Sequence, residues 1–116
     1  MKEEIKKRIY NWTLALIRAL DLIDKTNSSN VIGKQLLRSG TSVGANYIEA
    51  QAASSKKDFI NFLHHSLKSA NESRYWLDLL KDTKKISQEN IGPLIKELEE
   101  IANILGASIR TLKSRN

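Results

Sequence analysis

The chain of 116 residues has no cysteine, one proline and five glycines. Without cysteine there can be neither a disulfide framework nor a thiolate metal site, which fits a reducing cytoplasm. So few prolines and glycines leave little material for the turns of a β-rich fold. No apolar run approaches the roughly 20 residues that cross a bilayer, and the mixed-charge N-terminus without a small-residue cleavage site is unlike a secretion signal. The composition therefore predicts an all-α, cytoplasmic protein with no membrane span.

Apolar residues recur every three or four positions in four blocks, which is the period of amphipathic helices. An Asn/Ser/Thr-rich run separates the first two blocks, and Ser54-Ser55 marks a turn between the second and third. Connections this short make neighbouring helices antiparallel. The prediction is an antiparallel up-down-up-down four-helix bundle, a single domain over residues 1–116, with helices at about 3–26, 30–53, 56–82 and 88–113.

The beginning of the fourth helix stays open between two alternatives. Ser87 has the side chain of an N-cap residue, but Pro93 would then lie inside the helix, where proline forfeits a backbone hydrogen bond. A helix that begins at Asn90 would instead hold Pro93 in its first turn. Earlier in the chain, Gly40 and Gly44 lie one helical turn apart. Since no Gly-Lys-Ser/Thr follows them, they predict a close approach of two helices rather than a phosphate-binding loop.

Polar residues recur on the sides of the second and third helices that should face the core. This predicted polar seam consists of Arg38, Ser42, Asn46, Glu49, Ser69 and Glu72. Because the helices fold back around Ser54-Ser55, antiparallel geometry places Arg38 beside Glu72 as a partly buried ion pair. Glu72→Ala should then lower thermal stability far more than Glu97→Ala, a change at a site interpreted as exposed. The seam is interpreted as structural; a functional site on the same residues is the alternative.

The net charge of +6 is carried by basic clusters near the predicted helix ends. Excess positive charge favours a polyanionic partner, since each neutralised phosphate releases counterions. The alternative is that these side chains are solvated helix faces and termini. The candidate nucleic-acid-binding residues are Lys6, Lys7, Arg8, Lys56, Lys57, Arg110, Lys113 and Arg115.

Catalytic chemistry has little support in the sequence. The groups that could form an acid–base or metal site are Glu49, Asp58, His64, His65 and Glu72. A di-metal bundle needs Glu-x-x-His on each of two helices, and that motif does not occur. The adjacent histidines point about 100° apart and cannot chelate one ion from the same face. No catalytic residue, metal site or cofactor is therefore predicted.

The middle of the chain resembles the signature of the four-helix-bundle family of the 23S ribosomal RNA intervening-sequence protein. The matching string is GANYIEAQAA, then two serines, then KKDFINFLHHSLKSANESRYWLDLL. The resemblance covers nearly the whole chain, and its spacing across the second and third helices matches without gaps. Its sharpest parts are Leu36-Leu37-Arg38-Ser39, Ser42 with Asn46 and Glu49, Asp58-Phe59, and finally Ser69, Glu72, Tyr75, Trp76 and Leu77.

This resemblance implies a small bacterial protein that assembles as a homopentamer. Some members are encoded inside sequences that interrupt 23S ribosomal RNA genes, and most have no established activity. A related branch comprises accessory proteins of diversity-generating retroelements, which are pentameric, basic and work with a reverse transcriptase and nucleic acid. The chain departs from that branch in its moderate charge, since its fourth helix is neutral.

The functional hypothesis is a non-enzymatic homo-oligomeric scaffold that binds RNA, DNA or a nucleic-acid-processing enzyme. It rests on the resemblance, on the basic clusters and on aromatic residues expected to be exposed near Tyr10, Tyr47 and Tyr75. The apolar flanks of the first helix, at Ile5, Leu14 and Ile17, predict a surface that only an oligomer would cover. One alternative is a protein–protein interaction adaptor with no nucleic-acid role. Another is a small enzyme or metal protein that uses Glu49, Glu72 and the histidines.

Overall fold

Four helices make up the fold. The computed structural model describes residues 2–115, and no strand occurs among them. Each helix packs against the one before it, and α4 closes the bundle against α1. The predicted all-α, antiparallel four-helix bundle is therefore confirmed. The helices α1, α2, α3 and α4 occupy Lys2–Leu20, Asn27–Gln51, Lys56–Asp82 and Gln88–Ser114.

The first helix is shorter than predicted, and the second begins earlier. α1 ends at Leu20 rather than near residue 26, although Ile23 beyond it still lies in the core. Thr26 is the N-cap of α2: its hydroxyl accepts from the Ser29 N–H, and the Ser29 hydroxyl accepts from the Thr26 N–H at 2.8 Å. The residues interpreted as a helix breaker thus form a capping box, which begins α2 at Asn27 instead of residue 30.

Serine hydroxyls cap the N-termini of α3 and α4. The Ser55 Oγ accepts from the Asp58 N–H at 3.0 Å, and the Ser87 Oγ accepts from the Asn90 N–H at 3.3 Å. The first of the two alternatives for α4 is therefore correct, and Pro93 lies inside the helix. Its ring is exposed, so water can satisfy the carbonyl that proline leaves without a donor.

The core consists of aliphatic side chains from all four helices and two aromatic residues. Leu16, Leu36 and Leu77 have no exposed surface. Trp12 is 3% exposed and donates its indole N–H to the Leu94 carbonyl oxygen at 2.9 Å, which ties α1 to α4. Hydrophobic burial of this kind is the main stabilising contribution to a helical bundle.

Two glycines of α2 allow α1 to pack closely against it. A Cβ atom on Gly40 would overlap the Leu16 Cδ2, and one on Gly44 would lie 3.2 Å from the Ile9 Cγ2. The predicted close helix approach is confirmed. Because a side chain at Gly40 would overlap the buried Leu16, Gly40 is the position that limits how closely α1 packs against α2.

Candidate nucleic-acid interface

One end of the bundle collects the first turns of α1 and α3 and the last turns of α2 and α4, since neighbouring helices are antiparallel. Ile5 and Leu112 line one cavity there, and the Lys56 Nζ donates to the Arg115 carbonyl oxygen. We call this end of the bundle the basic end. It carries seven of the eight predicted nucleic-acid-binding residues, all of them exposed: Lys6, Lys7, Lys56, Lys57, Arg110, Lys113 and Arg115.

Carboxylates at the same end are fewer than the cations. Glu3 and Glu4 lie in the first turn of α1, and Asp58 lies in the first turn of α3. Acids in these positions interact favourably with the positive end of the helix dipole. Glu49 is exposed near the end of α2. The cations outnumber these four acids, so the basic end keeps an excess of positive charge.

The eighth candidate, Arg8, is already engaged within the bundle. Its Nε and Nη2 donate to the two Glu97 carboxylate oxygens at 2.9 and 2.6 Å, and Nη2 lies 3.5 Å from Glu100. The hydrogen bond to Glu97 raises the pKa of Arg8, against the opposing effect of burial, and the charges of Glu97 and Glu100 raise it further. This fork joins α1 to α4, so the charge of Arg8 is largely compensated by protein carboxylates.

The polar seam lies at the edge of the α2–α3 interface rather than within it. Arg38 contacts Glu72 as predicted, so the register predicted for α2 and α3 is confirmed at this position. However, the side chains of Arg38 and Glu72 are 55% and 38% exposed, so the expectation of a partly buried pair is wrong for the arginine. Glu49 is exposed, and the remaining members are half-buried: Ser42, Asn46 and Ser69. Ser42 and Asn46 donate to backbone carbonyl oxygens of their own helix.

These exposures reverse the expected effects of two substitutions. Glu97, interpreted from the sequence as exposed, holds Arg8 in a two-bond fork, whereas Glu72 accepts from Arg38 and from the Trp76 indole N–H at 2.9 Å. Ion pairs this open to solvent contribute about 0.2–1 kcal/mol. Glu97→Ala should therefore lower the melting temperature at least as much as Glu72→Ala, and salt should reduce both effects. Thermal melts at low and high salt test this, and a much larger loss from Glu72→Ala would contradict it.

The polar groups that are truly buried between α2 and α3 are serines. The Ser39 and Ser73 hydroxyls share a 2.8 Å hydrogen bond, and the Ser66 hydroxyl donates to the Val43 carbonyl oxygen at 2.7 Å. All three serines have no exposed surface. Small side chains let the helices approach closely, and each hydroxyl finds an acceptor, so burial carries no unsatisfied group. These serines recur at helical spacing with the core leucines, and this pattern indicates that they are buried. The polar seam predicted from the sequence instead consists mainly of the larger polar residues beside them.

Comparison with known proteins places this architecture in a family. The family described as the 23S rRNA-intervening sequence protein matches residues 2–107. The chain belongs to this family. A solved structure from Bacteroides thetaiotaomicron VPI-5482, a protein with unknown function from the S23 ribosomal protein family, is 37% identical, with a TM-score of 0.85 over 95% of this chain and 99% of that chain. No curated protein matches the chain.

Membership of the 23S rRNA-intervening sequence protein family confirms the resemblance seen in the sequence, and the function of the related solved protein is unknown. Among residues 2–115, no group of three or more His, Cys, Asp and Glu side chains is placed to hold a metal ion. Within the same residues, no helix has the length and apolar character to cross a membrane.

In this member of the 23S rRNA-intervening sequence protein family, two of the three aromatic residues expected on the surface are there. Tyr10 and Tyr75 are 64% and 59% exposed. The expectation was wrong for Tyr47, which is 5% exposed. It lies four residues after Val43 and three before Ala50 on the buried side of α2, so its ring belongs to the core.

The buried Tyr47 should make the stability of this family member sensitive to alkaline pH. Burial raises the pKa of its hydroxyl, and the charge of Glu3 adds to the effect. The unfolded chain would ionise near the ordinary tyrosine pKa of about 10. Above this pH the unfolded chain releases a proton that the folded chain still holds. The contribution of the protonated Tyr47 to stability is therefore complete below about pH 10 and is lost as the pH rises through the raised pKa.

Tyr47→Phe should therefore lose less free energy of unfolding than the wild type between about pH 9 and pH 11. Urea unfolding followed by circular dichroism measures the difference. Tyr10→Phe removes a hydroxyl from an exposed ring and serves as the matched control, with the wild-type pH dependence expected. A Tyr47→Phe protein that follows the wild-type curve would show that this hydroxyl does not set the alkaline limit.

Proposed function

We propose that this protein is a non-enzymatic, homo-oligomeric scaffold that binds nucleic acid through the basic end, alone or with a nucleic-acid-processing enzyme. The observation that carries the proposal is the convergence of seven exposed cations on one end of the bundle. Helix polarity alone brings them together from three separate parts of the sequence. A cation cluster of this kind binds polyanions because phosphate contacts release condensed counterions.

The charge of the basic end is not consumed inside the chain. Within residues 2–115, the ion pairs involve Arg8, Arg38, Arg74 and Lys81, and none of the seven cations takes part in one. Glu72, a candidate acid in the enzyme alternative, instead accepts from Arg38 and Trp76. This supports a structural role for the paired charges and a binding role for the unpaired ones.

Self-association is the second part of the proposal. Apolar side chains of α1, α2 and the turn between them stay exposed by 39–71%: Ile17, Leu22, Val31 and Leu37. Leu14 is half-buried and Ile5 packs against the core, so Ile17 is the exposed member of the predicted α1 flank. A homopentamer would cover these side chains and multiply the +6 charge of one chain. Light scattering should give a multiple of 13.1 kDa, and the monomer mass at micromolar concentration would overturn this part.

Charge reversal at the basic end tests nucleic-acid binding. Lys6→Glu with Lys7→Glu should weaken the binding of labelled RNA by at least about tenfold and reduce the salt slope by roughly 1.4–1.8, the effect of two lost phosphate contacts. Fluorescence anisotropy over a range of salt concentrations measures both quantities. The matched control reverses two exposed lysines at the other end of the bundle, Lys25→Glu with Lys84→Glu, and should retain most of the affinity.

An equal loss in both double variants would mean that net charge alone matters and that the basic end is not the site. Absence of wild-type binding to RNA and DNA at about 50 mM salt, with the oligomer intact, would favour the adaptor alternative.

One observation supports the adaptor alternative. Tyr75 is 59% exposed and its ring meets that of Trp76 edge-on at 5.2 Å, and the Trp76 indole N–H and Arg38 both donate to Glu72. Tyrosine, tryptophan and arginine are the residues that dominate protein–protein interfaces.

A further inference from the structure

An open cavity between α1 and α2 adjoins the basic end. Its volume is about 570 Å³, which exceeds the volume of a nucleobase. On the α2 side, Gly44 and Ala45 carry little or no side chain, and this leaves space between them and α1. Tyr10 and Ile48 form its exposed walls, at 64% and 53% exposure. We call this cavity the Tyr10 slot; it is also lined by Lys6, Lys7, Thr13 and Thr41.

Positive charge borders the ring of Tyr10 on one side. Lys6 and Lys7 precede it by four and three residues, and side chains at these spacings are neighbours on a helix surface. Both lysines are exposed and line the slot with Tyr10. A base held against the ring would therefore have its flanking phosphates within reach of two ammonium groups. Glu3 is a carboxylate in the same lining and offsets part of this charge, since it precedes Lys6 and Lys7 by three and four residues.

The two threonine hydroxyls of the slot donate to backbone carbonyl oxygens of their own helices. The Thr13 Oγ1 donates to the Ile9 carbonyl oxygen at 2.7 Å, and the Thr41 Oγ1 donates to the Leu37 carbonyl oxygen at 2.7 Å. Neither threonine has a hydroxyl proton left to read the edge of a base. With both threonine protons engaged, the slot offers mainly the Tyr10 ring and apolar walls, and a stacking surface of this kind favours binding that tolerates any sequence.

We propose that the Tyr10 slot binds an unpaired nucleobase of single-stranded nucleic acid, stacked on the Tyr10 ring. The inference rests on the proposed function and names the form of nucleic acid that the basic end prefers. A base inside a duplex is already stacked on both sides and cannot reach the ring, whereas a single strand can turn one base outward. Phosphate contacts at the basic end serve both forms, so the Tyr10 ring supplies the preference for the single strand.

Tyr10→Ala tests the proposal with two probes, a labelled polyuridine strand of about 15 nucleotides and an RNA duplex of equal length. Affinity for the single strand should fall about 5- to 100-fold, the usual effect of losing one stacked base. Affinity for the duplex and the salt slope of both probes should stay unchanged, because the phosphate contacts remain. Tyr10→Phe keeps the ring and should bind as the wild type does. Tyr75→Ala removes an equally exposed ring elsewhere and should also bind normally.

Three results would overturn the proposal. Wild-type affinity of Tyr10→Ala for the single strand would show that no base stacks on the ring. An equal loss for the single strand and the duplex would assign Tyr10 to general binding. A change in mass by light scattering would make Tyr10 part of the contact between copies. The proposed function has its own test: it is wrong if the wild-type protein binds neither probe at low salt. That result would also rule out base binding in the Tyr10 slot.

Discussion

Gly40→Leu is expected to destabilise the bundle by more than about 3 kcal/mol, the upper range for overpacking a core. Gly40 is buried where α1 crosses α2, and even a Cβ atom would overlap the Leu16 Cδ2 and lie 3.5 Å from the Trp12 Cη2. Leu16 has no exposed surface and Trp12 is 3% exposed, so neither side chain can move into solvent. Since a domain of this size is stable by about 5–15 kcal/mol, urea unfolding followed by circular dichroism should show a large shift of the midpoint.

The matched control is Gly106→Ala in α4. A Cβ atom there would meet the Arg110 Nη1 at 3.4 Å, and Arg110 is an exposed, flexible side chain. Replacing a glycine in a helix by alanine should then stabilise the protein by about 0.5–1 kcal/mol. Opposite signs for the two glycine substitutions are the expected result. Similar effects would mean that α1 does not depend on Gly40 for its position.

A double-mutant cycle locates the cause of the Gly40 effect. Leu16→Ala alone should cost about 2–5 kcal/mol, as for other buried leucines. In the Gly40→Ala background the cost of Leu16→Ala should be smaller, because the truncated side chain makes room for the added methyl group. We expect a coupling energy of about 0.5–3 kcal/mol, typical of residues in contact. Additive effects would show that Leu16 is not the side chain that excludes a larger residue.

Trp12→Ala is expected to lower the free energy of unfolding by about 3–5 kcal/mol. The ring of Trp12 fills the space beside Gly40, and its indole N–H donates to the Leu94 carbonyl oxygen, so one side chain joins α1 to α2 and to α4. Truncation leaves a cavity at this junction and removes the hydrogen bond. Trp12→Phe keeps much of the apolar contact and should cost less than Trp12→Ala.

Trp76 is the matched control, since it is the other tryptophan and is only half-buried. Its indole N–H donates to the exposed Glu72. Trp76→Ala should therefore cost clearly less than Trp12→Ala in urea unfolding, with circular dichroism used because each variant loses a fluorophore. An equal cost for both tryptophans would contradict the assignment of Trp12 as the junction of three helices.

The sequence determined the helices and much of their pairing. Apolar residues such as Leu94, Leu98 and Leu105 recur at the helical period and are buried, because a helix surface repeats every 3.6 residues wherever it lies. Short connections required antiparallel neighbours, and the same geometry predicted the contact between Arg38 and Glu72. These are local or nearest-neighbour properties, which a sequence carries directly.

The sequence predicts the ends of the helices less accurately than their existence and pairing, because capping depends on a few side-chain contacts. The run that begins at Thr26 was interpreted as a break, yet Thr26 and Ser29 cap α2 reciprocally, and the Ser29 hydroxyl also donates to the Asp24 carbonyl oxygen. Serine and threonine disfavour helix interiors and favour helix starts for the same reason, since their hydroxyls compete for backbone groups. Only the three-dimensional contacts show which of these outcomes the chain adopts.

Burial of individual polar residues was decided by the tertiary structure. Ser39 is fully buried while its neighbour Arg38 is largely exposed, because one residue turns the side chain by about 100° around the helix. The pairing of Arg8 with Glu97 joins residues 89 positions apart, and no local pattern indicates it. The basic end has the same origin. Its lysines and arginines form three short clusters far apart in the sequence, and the packing of the four helices brings their charges to one surface.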